Sequence, residues 1–153
     1  MKALSMYAPY AMFIACKEKK IETRSWKTDY RGDILICSTV EDKNRKDLKD
    51  VLIFGHALAI AKIIDCQPFQ EKDRYDACID DDVDMSGMYS WFLTDIRPIH
   101  PVPIKGQQRI YNAPYELSDL KILDLEGEDL DQYRNDNGFV ELEKVKEELE
   151  VDD

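Results

Sequence analysis

The chain predicts an α+β fold built on one small, curled sheet of five or six strands, with two or three helices interleaved irregularly. Three observations lead there. Its 153 residues suffice for one domain with an appended element but not for two full domains. Hydrophobic residues make up 44%, enough for a single core and too many for a disordered chain. Short apolar runs with strand patterning alternate with polar turns and brief helical stretches in no regular order, which argues against a doubly wound sheet.

Leu4–Met6 reads as a first short strand. Pro9 suits a helix N-terminus, where its missing N–H costs nothing, and Ala11, Met12, Ile14 and Ala15 supply a compact apolar helix. The run Lys17-Glu18-Lys19-Lys20 ends that helix with cations that complement its dipole. Ile21–Trp26 alternates β-branched and polar residues as a strand does. Tyr30–Asp33 is a turn, and the near-continuous apolar run Ile34–Ser38 is a buried strand. Glu41–Leu52 has helical spacing of Leu48, Val51 and Leu52, with Gly55 as its stop. His56–Cys66 is the strongest strand pattern in the chain, bounded by Gly55 and Pro68. Residues 67–87 form an acidic, polar insertion, and Tyr89–Ile96 returns to strand patterning. Pro98, Pro101 and Pro103 then impose an extended, non-helical crossing. Lys105-Gly106 is a turn, Leu120–Leu125 a further strand and Val140–Leu149 a closing acidic amphipathic helix.

Charge divides the chain unevenly. Residues 113–153 hold 15 acids and 4 bases, whereas residues 1–112 hold 17 of each, so the formal net charge of -11 belongs to the tail. The expected organisation is therefore a core over residues 1–112 and an acidic extension over 113–153. Within the core, residues 1–66 carry 12 bases against 9 acids, the only stretch offering a polyanion a favourable field.

No apolar run reaches the roughly 18 residues of a membrane span, and Pro9 and Tyr10 interrupt any signal-like stretch at the start. The expectation is a cytoplasmic protein without a membrane partner. Cys16, Cys37, Cys66 and Cys78 form no CxxC pair, and three of them sit in apolar runs, so they read as buried hydrophobes in a reducing compartment. Two histidines, His56 and His100, are too few for a histidine-rich metal site. Phosphate-loop, dinucleotide, HExxH and GxSxG motifs are absent, and neither a cofactor nor a metal is expected.

The informative segment is Lys19-Lys20-Ile21-Glu22-Thr23-Arg24. On a strand Glu22 and Arg24 project from one face, Trp26 continues that face, and Lys19 stands at the junction free to fold over it. Glu22 offers two acceptors, Arg24 a rigid donor fork and Trp26 a stacking plane. The same residues also fit an ordinary charge pair on a solvated sheet with a packed tryptophan, so the pattern by itself stops at a polar cleft.

Several of these segments, in the same order, resemble the ASCH domain family, a branch of the PUA-like superfamily. Leu4-Ser5-Met6-Tyr7-Ala8-Pro9-Tyr10-Ala11 is similar to the family's opening strand and Pro-started helix. Lys17–Arg24 stands where the family carries its GxKxxExR signature, with Lys17 replacing the glycine. Ser25-Trp26, Tyr30-Arg31-Gly32, Gly55–Ala59, Tyr89–Leu93 and Lys105-Gly106-Gln107 complete a resemblance over about residues 3–112. The resemblance implies a small PUA-like β-barrel with flanking helices and, beside the barrel, a polar cleft that binds RNA, a nucleotide or a nucleoside. The resemblance carries over Lys19, Glu22 and Arg24 by position, and the expected ligand-binding set adds Trp26, Tyr7 and Arg31, with Lys19 and Arg24 on phosphate, Glu22 on a base edge and Trp26 or Tyr7 on a base face. One alternative is an enzyme, an amidohydrolase of acetylated cytidine or a ribonuclease, with Lys19 and Glu22 as the catalytic candidates. Glu22 stands at the threonine position of the smaller hydrolases. Desolvation and Arg24 would strip the Lys19 proton whereas Glu22 would retain it, and sequence leaves that contest open. A second alternative is a protein-interaction domain docking a basic partner through the acidic tail.

Overall fold

A computed structural model of the chain describes residues 1–40 and 52–136. Its six strands are β1 (Lys2–Met6), β2 (Ile21–Arg24), β3 (Gly32–Ser38), β4 (His56–Pro68), β5 (Tyr89–Pro103) and β6 (Ile110–Asn112). They form one curled, half-barrel sheet in the order β2-β5-β4-β3-β1-β6, and the fold is α+β. β1 and β3 run parallel, and every other neighbouring pair is antiparallel. The helices are α1 (Ala8–Ala15), α2 (Arg74–Ala77) and α3 (Glu128–Asp136).

The two faces of the sheet carry separate cores, and strand alternation deals residues between them. Leu4, Ile34 and Ile36 join α1 on one face, while Ala3, Leu35 and Cys37 turn to the other. In β4 the alternation slips: Leu58 and Ala59 both face α1, and Ala57 and Ile60 both face away. The pairing register with β5 shifts between Ala57 and Ala59, a bulge that accounts for the slip. Burial on both faces explains why β3 and β4 read as almost unbroken apolar runs. α1 is likewise buried on nearly all sides, from Ala8 and Pro9 to Ala15, with only Tyr10 partly exposed. The second face is covered by Ile104, Tyr111, Ala113 and Leu120.

The expected first strand, first helix and strands two to four all form. Tyr89–Ile96, however, is the first half of a strand that continues through all three prolines to Pro103. Pro98, Pro101 and Pro103 tolerate the extended backbone, and their missing N–H groups leave a broken row of donors. The strand expected at Leu120–Leu125 therefore reduces to a single bridge, Ile99 to Ile122, preceded by a 3₁₀ turn at Leu117–Asp119. The insertion after β4 is not all loop. A 3₁₀ turn at Glu71–Asp73 leads into α2, and Asp73 anchors it, accepting from the Gln70 N–H (3.0 Å) and the buried Ser90 hydroxyl (2.9 Å). The three-residue β6 and α3 were not anticipated. The helices expected at Glu41–Leu52 and Val140–Leu149 fall on or across residues outside those described. Among the described residues no helix is long and apolar enough to cross a membrane.

α1 ends in a Schellman motif. The Lys17 N–H donates to the Ile14 carbonyl (2.9 Å) and the Glu18 N–H to the Phe13 carbonyl (2.9 Å), with Lys17 at φ 64. The signature glycine position is thus a left-handed one, where a side chain costs about 1 kcal/mol. Lys17→Gly is expected to stabilise the protein by about that amount and Lys17→Val to destabilise it, as read from urea midpoints at constant slope.

Candidate functional site

The Schellman turn reverses the chain and sets Lys19 against the start of β2. The Lys19 N–H bonds back to the Phe13 carbonyl (3.0 Å), and the Lys20 N–H bonds to the Asp76 carbonyl in α2 (2.7 Å). With its backbone clamped between two helices, the Lys19 side chain is 1% exposed. Its ammonium donates to the carbonyl of Ala77, lies 3.8 Å from Glu22 Oε1 and sits 5.7 Å from the centroid of the Tyr10 ring. Burial is the largest influence on this ammonium and pulls its pKa below the ordinary lysine value, against the opposing pull of the Glu22 carboxylate. The direction of the shift is set by burial, while Glu22 at 3.8 Å favours the charged form.

Glu22 is held from both sides. Its Oε2 accepts from Arg24 Nε and Nη2 (3.2 and 3.0 Å), and its Oε1 accepts from the Thr23 N–H (3.1 Å). Arg24 Nη2 also donates to the Ser5 carbonyl (2.9 Å). That bond runs from β2 at one edge of the sheet to β1, which is not its neighbour in the sheet. Trp26 lies two residues beyond the end of β2. It meets Trp91 edge to face at 4.7 Å and carries the Arg109 guanidinium 4.0 Å from its ring centroid.

These groups line one cavity of about 1070 Å³. Tyr7 and Tyr10 contribute from the start of α1, Thr39 and Val40 from beyond β3, and Lys105–Arg109 from the loop joining β5 to β6. Gly106 approaches β1 closely there, since an added Cβ would lie 3.0 Å from the Ser5 hydroxyl, which would have to give way. Among the described residues the charged side chains of the lining are Lys19, Arg24, Lys105 and Arg109, with Glu22 as the one carboxylate.

A family model described as the ASCH domain matches residues 4–103. The chain belongs to the ASCH domain family. Among solved structures it is similar to that of an ASCH protein from Zymomonas mobilis, at 14% identity and a TM-score of 0.47, covering 72% of this chain and 85% of that one. Structures of two single-residue variants of that protein, one replacing a tyrosine by phenylalanine and one a serine by alanine, match at the same identity and TM-score, covering 87% and 85% of those chains. No curated protein matches.

Of the residues expected at the site of this ASCH domain, Lys19, Glu22, Arg24, Trp26 and Tyr7 meet at the cavity, and Arg31 does not. Arg31 donates to the carbonyls of Thr28 and Tyr30 (both 2.9 Å) and faces Asp65 at 3.8 Å, so it braces the turn before β3. Trp26 is not a bare stacking plane, since Arg109 covers it and Trp91 abuts it. Glu22 is engaged by three donors before any ligand arrives. Sequence reasoning missed Arg109 and the rest of the 105–109 wall, beyond noting Lys105-Gly106-Gln107 as a family-like segment. Among the described residues no cluster of three or more His, Cys, Asp or Glu is placed to hold a metal ion.

Removing the guanidinium would leave a nearly buried carboxylate with only Thr23 and a distant Lys19 for compensation. Arg24→Met is expected to destabilise by about 2–4 kcal/mol, and adding Glu22→Met should recover much of that loss. A double-mutant cycle in urea, showing no recovery, would refute the coupling.

Proposed function

We propose that this ASCH domain binds RNA or a nucleotide or nucleoside in the cavity beside the half-barrel. One observation carries the reading: in a chain of net charge -11, a single hollow gathers, among the described residues, four basic side chains against one carboxylate beside the Tyr7, Tyr10 and Trp26 rings. Positive charge attracts phosphate, and aromatic rings accept a base. Tyr7, 51% exposed at the mouth, is the ring best placed to stack on an incoming base. The buried Lys19–Glu22–Arg24 group supplies a polar inner wall. The four free thiols support a reducing compartment such as the cytoplasm.

Few cations are available, so the salt dependence of binding to short single-stranded RNA should be present but shallow. The slope of log affinity against log salt is expected to be no steeper than about -3, and a flat line would remove phosphate from the reading.

A second reading, hydrolysis of an acetylated nucleoside, is favoured by the burial of Lys19 beside Glu22. A lysine whose proton is loosened by desolvation suits a general base. Incubation with acetylated cytidine should then release acetate in the wild type and not in Lys19→Met. Equal rates in the two proteins would dismiss that chemistry for this substrate.

A further inference from the structure

The family match ends at residue 103, yet the cavity wall continues to Arg109. Arg109 is set apart from the other arginines whose side chains are described. Arg24, Arg31, Arg74 and Arg97 each donate to a carboxylate or a carbonyl. Arg109 has no hydrogen-bond or ion-pair partner among the described residues; its guanidinium lies 4.0 Å from the centroid of the Trp26 ring. An aromatic face holds a guanidinium flat while leaving the N–H groups at its edge free to donate. The backbone is committed to this placement as well, since Arg109 sits at φ 59, a conformation that L-residues with side chains adopt at a cost. A strained residue thus presents a donor fork, without a hydrogen-bond partner among the described residues, to a cavity whose inner carboxylate, Glu22, is already paired with its own cations.

We infer that Arg109, held on Trp26, reads a phosphate group, so the cavity selects phosphorylated over unphosphorylated nucleosides. The inference rests on the nucleotide-binding reading above and adds the ligand's charge and orientation. The phosphate lies at the Arg109 wall, with Lys105 on the same loop adding charge. The base points away from it, toward Tyr7 and the inner polar group. Planar forks form paired, charge-assisted bonds to phosphate oxygens, which a sugar hydroxyl cannot reproduce. The phosphate has two sources, a free nucleotide or an RNA terminus.

Calorimetric titration of the full chain with the common ribonucleosides, their 5′-monophosphates and a short oligoribonucleotide with and without a 5′-phosphate tests this. Wild type is expected to prefer the phosphorylated member of a pair by about tenfold or more. Arg109→Ala should erase the preference, weakening the phosphorylated member about tenfold more than its nucleoside, and Arg109→Lys should keep part of it. A preference among monomers alone identifies a free nucleotide, and one confined to the oligomers identifies an RNA end. Equal wild-type affinity for both members of every pair overturns the inference while leaving the binding reading intact. So does an Arg109→Ala variant that weakens both members alike. Wild type that binds none of the probes overturns the binding reading, and the inference with it.

Discussion

The Arg24 guanidinium holds the open sheet in its curl. The strand order leaves β2 and β1 four positions apart, and Arg24 spans the gap by bonding the Glu22 carboxylate on its own strand and the Ser5 carbonyl on β1. A lysine could make one of these contacts but not the fan of them, because only a planar fork presents several donors in fixed directions. The second clasp, Arg109 on Trp26, joins the approach to β6 with the segment after β2. Both clasps are made of side chains rather than ladder hydrogen bonds, and the space they enclose is the cavity. Architecture and site therefore rest on the same contacts.

The electrostatics of that space follow from what is buried. A carboxylate with 7% side-chain exposure between a fully buried ammonium and a partly buried guanidinium is stable only as a set, since each charge compensates the desolvation of another. The set leaves one positive charge in excess at the inner wall, and Lys105 and Arg109 add two more opposite it. An acidic protein thereby keeps a lining of mostly basic charge, among the described residues, in its cleft.

Local signals made much of the fold legible. Pro9 at the start of an apolar helix, the alternation through Ile21–Arg24 and the unbroken runs of β3 and β4 each state their structure within a few residues. Strand periodicity also placed Glu22 and Arg24 side by side. What escaped was non-local. The extent of β5 depends on β4 tolerating three prolines through bulges, and the three residues of β6 become a strand only because β1 offers an edge. Summing charge by stretch assigned the favourable field to residues 1–66, whereas two of the four cavity cations come from 105–109, in a stretch with an acidic sum. Folding set them against Lys19 and Arg24. Arg31 stands apart from the cavity for the opposite reason: it lies close in sequence to the site, but its side chain faces Asp65.

The placement of β2 has a consequence for how the protein acquires its cleft. Although β2 is the second strand made, its ladder partner is β5, so Glu22 waits for Trp91 and Arg24 for Tyr89 before either has a backbone to rest on. The opposing wall is translated later still. Such long-range pairings slow folding and deny a nascent chain any partial version of the cleft. The walls of the cleft therefore come together only after roughly the first two-thirds of the chain has been made.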